Sequence, residues 1–235
     1  MYGIDRTLQE GLLELRRQDA AIDAILGGRI DAVSLLLQKY IEEIELFNPA
    51  YGLVGAKDRR ELVIKHILDS LSPLGIIARL HRAELSLQSG GEIADVGSGA
   101  GLPGIPLAIT LPDVSFTLIE RMGRRAGFLR NTLAALGISN VTAEEREMEK
   151  AAPDRFAIIT FRAFRPLEPA LLGSLFRLLK SGGILAAYKG RRSAIAEEME
   201  AVERLSAIDS PPGWECFPCP VPFLDEERHL VVIRK

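Results

Sequence analysis

The residues best suited to chemistry lie in a glycine-rich stretch, residues 92–104, which reads EIADVGSGAGLPG. The apolar residues before the glycines predict the end of a buried strand, and those after them predict the start of a helix. Because glycine has no Cβ and tolerates positive φ, the backbone of such a turn can approach a ligand closely. In an open α/β sheet, ligands bind at this place, beyond the carboxyl ends of the strands. The stretch therefore predicts a site for a nucleotide-type cofactor.

Two registers of these glycines compete. Gly99, Gly101 and Gly104 match the dinucleotide fingerprint GxGxxG. Asp95, followed by Gly97 and the next two alternate glycines, matches instead the turn of S-adenosylmethionine-dependent methyltransferases. The first glycine of a dinucleotide turn should directly follow the strand. Gly97 does so, whereas Gly99 lies two residues later, and this favours the methyl donor.

Two prolines and one acid bear on the same choice. Pro103 and Pro106 lie in the first turn of the predicted helix, where a missing N–H is tolerated. They remove donors that a pyrophosphate would use at a helix N-terminus. S-adenosylmethionine has no phosphate and loses nothing, so the prolines favour it. Glu120 suits either cofactor, because it lies about 20 residues beyond the glycines, where an acid accepts hydrogen bonds from ribose hydroxyls.

Strands and helices alternate around this turn, which predicts a parallel, doubly wound sheet that a closing hairpin makes mixed. The predicted strands are Ile93–Val96, 115–119, 141–143, 156–160, 184–188, Trp214–Pro218 and 229–233. The predicted helices are 105–110, 124–136 closed by Gly137, 167–179 closed by Gly182 and Gly183, and 193–205.

The first part of the chain is predicted to be helical. Apolar residues recur at three-to-four spacing over residues 1–46, with a break at residues 27–28. Asn48–Pro49 is predicted to end the second helix, and Asp58 to cap another helix over 59–68. The expected division is a helical region, 1–90, and a core of strands and helices, 91–235, in one compact unit.

The composition is that of an ordinary globular protein, with 47% hydrophobic and 26% charged residues in a chain of 235. No apolar run approaches the roughly 20 residues of a membrane helix, and the start does not resemble a secretory signal. The two cysteines, Cys216 and Cys219, cannot form a disulfide framework. With no second Cys/His pair nearby, their CxxC spacing does not predict a metal site, and any role for them stays open. We expect a cytoplasmic protein.

The positive charge is clustered, although the net charge is −3 and a strongly basic nucleic-acid binder would carry the opposite sign. Local patches can still bind phosphates. The alternative is that these residues are solvated ends of elements. The clusters are Arg121, Arg124, Arg125 and Arg130; then Arg162 and Arg165; then Lys189, Arg191 and Arg192.

Several motifs, in order over residues 48–235, together resemble the bacterial small-subunit ribosomal RNA guanine-N7 methyltransferase family, also called the glucose-inhibited division protein B family. The motifs are KHILDSL at 65–71, DVGSGAGLPGIP at 95–106, GRRAGFL at 123–129, Arg162–Ala163, YKG at 188–190 and ERHLVVI at 227–233. The resemblance implies a Rossmann-like class I α/β methyltransferase fold: a mixed, seven-stranded sheet with N-terminal helices. It implies methyl transfer from S-adenosylmethionine to N7 of one guanine in 16S ribosomal RNA, alone or within the small ribosomal subunit.

The chain departs mildly from the family pattern at Met148, where a small or apolar residue is usual, and more strongly at two other places. Gly52 and Val54 stand where the family usually has polar residues, and the segment 120–125 reads ERMGRR where DSLGKR is usual. Arginine for lysine keeps the charge but changes the geometry. These departures affect details of RNA contact rather than the reaction class.

The resemblance implies contacts with the cofactor at Gly97, Leu102, Met148, Glu149 and Arg162. To these we add from the sequence Asp95, Gly99 and Gly101 under the methionine part of the donor, and Glu120 on the ribose.

Other side chains are candidates for contact with RNA or for structural roles. Arg162 is a candidate for binding the donor carboxylate or guanine O6, or for a structural ion pair. His66 and Asp69 lie three residues apart and so share a helix face. They could organise the rim of the pocket, contact RNA, or belong to a network that packs helices together. The candidate RNA contacts are Arg124, Arg125, Lys189, Arg228 and His66.

The guanine N7 atom has a lone pair and no proton to lose, so its methylation needs no general base. This suits a chain without an evident Ser/His/Asp or Cys/His set. Three alternatives stay open: methyl transfer to transfer RNA or a small molecule, a non-catalytic RNA-binding module, and a dinucleotide oxidoreductase. We expect no metal and a monomer.

Overall fold

The computed structural model describes residues 5–87, 91–162, 167–205 and 213–235. Within these ranges one seven-stranded sheet has the order β3-β2-β1-β4-β5-β7-β6. The first five strands are parallel and the last two pair antiparallel, so the predicted mixed sheet is confirmed. The strands are β1 Ile93–Val96, β2 Phe116–Glu120, β3 Val141–Glu145, β4 Phe156–Arg162, β5 Leu179–Lys189, β6 Trp214–Pro218 and β7 His229–Arg234.

Helices precede the sheet and connect its strands. The helices are α1 Arg6–Gln18, α2 Ala20–Leu26, α3 Ile30–Tyr51, α4 Arg59–Leu62, α5 Asp69–Leu71, α6 Leu74–Leu87, α7 Gly104–Thr110, α8 Gly123–Leu136, α9 Pro169–Leu178 and α10 Arg192–Leu205. A π-helix, Val63–Leu68, joins α4 to α5, and a 3₁₀ turn, Met148–Lys150, follows β3.

The inner strands are buried on both faces, because helices cover both sides of the sheet. In β1, Ile93 packs in a cluster with residues of α1 to α8, whereas Ala94 packs on the other face with residues of α9 and α10. Ile158 and Ile159 of β4 divide in the same way. The N-terminal helices therefore share one hydrophobic cluster with the sheet, while the division at residue 90 stays a prediction.

The end of α3 differs from the prediction. The helix continues through Pro49 to Tyr51 and stops at Gly52, whose φ of +58° is left-handed. A proline in the last turn removes one hydrogen bond, and the left-handed glycine is the stronger stop because it satisfies a terminal carbonyl. Here the Gly52 amide donates to the Asn48 carbonyl at 2.9 Å.

The sequence analysis predicts that the glycines at 182 and 183 close a helix, and this prediction is wrong. Both glycines lie within β5. Helix α9 ends at Leu178, and Leu179 is already extended. Gly182 has a φ of +75°, and the pairing with β4 shifts register between Phe156 and Ile158. These glycines therefore permit an irregularity in the strand, which has the same local sequence signature as a helix end.

Two further elements differ from the sequence analysis. The predicted single helix over 59–68 is α4 followed by the π-helix, although Asp58 caps it as predicted by accepting from the Glu61 amide at 2.8 Å. Helix α6 lies within the predicted helical region 1–90, although the sequence analysis places no individual helix there.

Candidate active site

The glycine turn follows β1 directly, as the second register requires. Gly97, Gly99 and Gly101 have φ values of +71°, +57° and +92°. L-residues with a side chain rarely adopt such angles, so the turn needs glycine at these positions. A buried contact supports the turn from below, since the Tyr40 hydroxyl of α3 donates to the Ala100 carbonyl at 2.7 Å. The turn is therefore held by the N-terminal helices as well as by the sheet.

Two cavities meet at Gly97, which lines both. The larger, about 780 Å³, extends along the carboxyl ends of β1, β4 and β5. The smaller, about 500 Å³, lies at the end of β2. The sequence-predicted residues on the larger cavity are Gly97, Gly99, Leu102, Arg162, Lys189, Arg228 and His66. Those on the smaller cavity are Gly97, Glu120, Arg125, Met148 and Glu149.

Asp95 and Gly101 lie beneath the turn rather than on a cavity wall. A Cβ on Gly101 would lie 2.8 Å from Cγ1 of Ile105, so this glycine faces the core. The Asp95 Oδ2 atom accepts the Gly104 amide at 3.0 Å, which joins β1 to the start of α7. Their contact with a cofactor stays a prediction, and what the structure shows is support for the turn.

Glu120 is the buried acid among the three glutamates that line the smaller cavity. It is 4% exposed, and its two carboxylate oxygens accept the amides of Gly99 and Met122, each at 2.9 Å. Each carboxylate oxygen can accept about two hydrogen bonds, so capacity remains for two hydroxyl donors. The end of β2 and the glycine turn thus fix an acid whose remaining lone pairs suit ribose.

Met148 and Glu149 line the same cavity as Glu120. Met148 is 5% exposed, and the Arg177 guanidinium donates to the carbonyls of Met148 and Glu149 at 3.1 and 3.0 Å. A thioether and a carboxylate side by side can offer apolar contact and a hydrogen-bond acceptor. This chemistry suits a purine base.

Asp95 is fully buried, and burial raises its pKa to about 7, although the Gly104 amide and Arg162 act in the opposite direction. Its Oδ1 atom has no hydrogen-bond partner among the described residues, so it is free to carry the proton.

This raised pKa predicts a pH-dependent stability. The unfolded carboxyl ionises near its ordinary value of 3.8 and the folded one near 7, so the unfolded state binds fewer protons between these values. The contribution of Asp95 to the free energy of unfolding is complete below the lower pKa and lost as pH rises through the upper one. We expect a decline of about 1.4 kcal/mol per pH unit from this group. Asp95→Asn should lack this slope in urea unfolding at pH 5, 6 and 7. If the free energy of unfolding changed with pH equally in the wild type and in Asp95→Asn, the prediction would be wrong.

Arg162, the last residue of β4, contacts the helical segment that carries His66 and Asp69. Its Nη1 atom donates to the Lys65 carbonyl at 3.1 Å and to Asp69 Oδ2 at 2.7 Å, and Nη2 lies 3.2 Å from His66 Nδ1. The predicted shared face of His66 and Asp69 is therefore directed at one arginine. The π-helix lies at this contact, as such helices often do at functional sites.

His66 is held neutral. Burial and the neighbouring Arg162 charge lower its pKa to about 4, against a hydrogen bond with the Gly55 backbone and the charge of Asp69. With Nδ1 facing an arginine donor, this ring accepts one hydrogen bond and carries no charge at neutral pH. A neutral His66 would meet RNA through hydrogen bonds rather than as a cation, and its contact with RNA stays a prediction.

The other candidate RNA contacts differ in whether their side chains already pair with an acidic group. Lys189 Nζ pairs with Glu198 at 2.7 Å, and Arg228 Nε lies 3.2 Å from Asp69 Oδ1. Arg124 is exposed, with its guanidinium 5.6 Å from the Tyr51 ring centroid. Arg125 lines the smaller cavity. Within the described residues, neither Arg124 nor Arg125 forms a salt bridge, in contrast to Lys189 and Arg228. Contact with RNA stays a prediction for all of them, and Ala163 and Arg165 lie outside the described residues.

Sequence reasoning missed Asp69 as a bridge between two arginines. The KHILDSL motif and the spacing from His66 indicate that Asp69 matters. They do not identify its partners, because Arg162 and Arg228 lie far along the chain. Cys219 lines the larger cavity and Cys216 lies in β6. Within the described ranges there is no cluster of His, Cys, Asp and Glu that could hold a metal ion. None of the helices described there is long and apolar enough to span a membrane.

The comparisons with known proteins decide the family. A family model described as rRNA small subunit methyltransferase G matches residues 34–212. The chain belongs to this family. Relatives named Ribosomal RNA small subunit methyltransferase G include one from Treponema denticola, 38% identical, with 86% of this chain and 87% of the relative covered. Another, from Cupriavidus pinatubonensis, is 34% identical over the whole of both chains.

Solved structures show the same fold in more distant proteins. A Methanococcus maripaludis protein assigned as an S-adenosyl-L-methionine-dependent methyltransferase has a TM-score of 0.52 and 18% identity, covering 83% of this chain and 91% of that one. A Galdieria sulphuraria protein assigned as a sarcosine dimethylglycine methyltransferase has a TM-score of 0.53 and 12% identity, covering 83% and 98%. These structures show the Rossmann-like methyltransferase fold for this chain. As a member of the methyltransferase G family, it uses S-adenosylmethionine.

The residues present fit that cofactor. A Cβ on Gly99 would meet nothing nearer than the Gly97 carbonyl at 3.9 Å, so this part of the turn leaves open space for a ligand. Glu120 retains acceptor capacity for ribose, and Arg162 offers donors to a carboxylate. Pro103, the residue before α7, carries no N–H, which suits a ligand without phosphate.

Proposed function

We propose that this protein transfers a methyl group from S-adenosylmethionine to N7 of one guanine in 16S ribosomal RNA of the small subunit. The observation that carries the proposal is the junction of the two cavities at Gly97. The smaller suits a nucleoside, and the larger continues past the turn to Arg162 and Arg228. A volume of about 780 Å³ exceeds what the methionine part of the donor needs and leaves room for a guanine.

The target base must reach a cavity at the end of the sheet. RNA is read mainly through unstacked bases in loops and bulges, and enzymes that modify bases take them out of the stack. An extruded guanine would enter the larger cavity, where the rings of Phe161 and Tyr188 line the wall.

The chemistry then depends on positioning. S-adenosylmethionine supplies an electrophilic methyl group on a sulfonium. The residues of this chain need only hold the guanine in line with it, since N7 loses no proton. Correct orientation can contribute roughly 7–11 kcal/mol to lowering a barrier. The absence of a base requirement agrees with His66, whose Nδ1 atom is engaged by Arg162 and whose pKa lies near 4.

The proposed RNA surface predicts a salt-sensitive contact at Arg124. Arg124→Ala should weaken binding of a 16S RNA fragment at low salt and reduce the slope of log affinity against log salt by about 1, because one phosphate contact is lost. Filter binding from 50 to 200 mM salt measures this. Arg130→Ala is the matched control, since Arg130 lies on the same helix but pairs with Glu145 at 3.0 Å. An unchanged slope for Arg124→Ala would remove this residue from the RNA surface.

The proposed substrate places the activity in the cytoplasm, where small subunits assemble, and a monomer stays the expected state. Nucleoside mass spectrometry of 16S RNA from cells lacking the gene tests the function. We expect one N7-methylguanosine per molecule to disappear and to return with the wild-type gene. An unchanged 16S pattern with altered transfer RNA would support the alternative acceptor. Unchanged methylation throughout would favour a non-catalytic RNA-binding module.

A further inference from the structure

Asp69 joins two arginines that come from distant parts of the chain. Its side chain is 8% exposed, and its oxygens pair separately: Oδ2 with Arg162 Nη1 at 2.7 Å and Oδ1 with Arg228 Nε at 3.2 Å. Both arginines line the larger cavity, as Asp69 does. A buried carboxylate that contacts two cavity-lining cations controls the orientation of both.

The contacts of Arg162 leave part of its guanidinium unused. A guanidinium has five N–H donors. The two on Nη1 are taken by Asp69 and the Lys65 carbonyl, and one on Nη2 faces His66 Nδ1. The Nε donor and the second Nη2 donor have no recorded partner in the part of the chain that the structure describes. Arg162 is 14% exposed, so these donors are available only to a group within the cavity.

The group that suits these donors is a carboxylate. Arginine binds carboxylates through paired, charge-assisted N–H···O bonds, which are stronger and more directional than neutral ones. The same cavity includes Gly97, Ser98 and Gly99, where the methionine part of the cofactor would lie. His66 and Asp69 engage other N–H groups of the same guanidinium, so they can fix its rotation without competing for the ligand.

We propose that Asp69 is a positioning residue that holds Arg162 so that its unused donors bind the carboxylate of the cofactor's methionine part. Asp69 makes no contact with the cofactor itself. The proposal rests on S-adenosylmethionine as cofactor and not on the RNA substrate. Binding measurements without RNA therefore test it independently of the proposed function.

Two ligands that differ in the amino-acid part provide the test. S-adenosylhomocysteine carries the carboxylate, whereas 5′-methylthioadenosine lacks the amino acid entirely. By calorimetry with the full chain, Asp69→Asn should weaken S-adenosylhomocysteine about tenfold or more, the scale of one charge-assisted hydrogen bond. The affinity for 5′-methylthioadenosine should change by less than about twofold, because this ligand makes no bond to Arg162. Asp69→Glu should recover part of the lost affinity.

Arg162→Ala supplies a second variant in case Asp69→Asn folds poorly. It should show the same selectivity between the ligands, and adding Asp69→Asn to it should cause no further loss for S-adenosylhomocysteine. The matched control is Asp23→Asn, which breaks an exposed pair with Arg16 at 2.7 Å and should alter neither affinity. Equal weakening of both ligands would show a merely structural role. Unchanged S-adenosylhomocysteine affinity in Asp69→Asn or in Arg162→Ala would also overturn the proposal.

Discussion

Replacing Glu120 by alanine is expected to lower the affinity for S-adenosylhomocysteine by at least about a hundredfold. Hydrogen bonds to a charged group contribute about 1.5–3 kcal/mol each, and two ribose hydroxyls would be lost together. The turn would loosen as well, because Glu120 accepts the Gly99 and Met122 amides. Glu120→Gln should lie between the wild type and the alanine variant, since it keeps the shape and one acceptor oxygen.

Calorimetric titration with S-adenosylhomocysteine measures this loss. Glu145→Ala is the control, because Glu145 ends the neighbouring strand β3 and its side chain is 47% exposed, paired with Arg130. It should bind as the wild type does. An affinity within threefold of the wild type for Glu120→Ala would mean that the ribose lies elsewhere.

Leucine at Gly99 is the second substitution with a large expected effect. The backbone there has a φ of +57°, and the space beyond its missing Cβ is open. A leucine side chain would occupy the place of the ligand, so we expect no detectable binding of S-adenosylhomocysteine at concentrations that saturate the wild type.

The strain of a left-handed leucine costs about 1–2 kcal/mol wherever it occurs, so it needs its own control. Gly137→Leu provides this, because Gly137 has a φ of +65° at the end of α8, with nothing within 4 Å of its Cβ position. The two variants should lose similar amounts of unfolding free energy in urea. If Gly137→Leu lost binding as well, or Gly99→Leu kept it, blocking of the cavity would be the wrong explanation.

The sheet could be predicted from sequence because its inner strands are buried on both faces. Such strands form short apolar runs, and the glycine turn after β1 marks where the first of them ends. Local sequence patterns predicted the structure less well where one pattern suits two kinds of structure. Gly182 and Gly183 suit either a helix end or an irregular strand, and only the pairing of β5 with β4 decides between these. Pro49 indicates a helix end, but the left-handed Gly52 sets the actual one.

The site was only partly predictable, for a similar reason. The turn, Glu120 and Met148 lie close to strand ends, so their clustering follows from the topology. The pair of Arg162 with Asp69 spans 93 positions, and no local spacing reveals it. The π-helix that carries His66 lies at the same contact, and its sequence does not indicate this helix type. Such features arise from packing between distant segments.

The most direct test of the central claim is methyl transfer in vitro to small ribosomal subunits from cells that lack the enzyme. Radiolabelled S-adenosylmethionine reports the transfer, and borohydride reduction followed by aniline cleavage locates N7-methylguanine in the RNA. The account predicts label in 16S RNA, one new cleavage at a guanine, and neither with Glu120→Ala. A wild-type protein that binds S-adenosylhomocysteine but labels 16S RNA at no guanine N7 would contradict it.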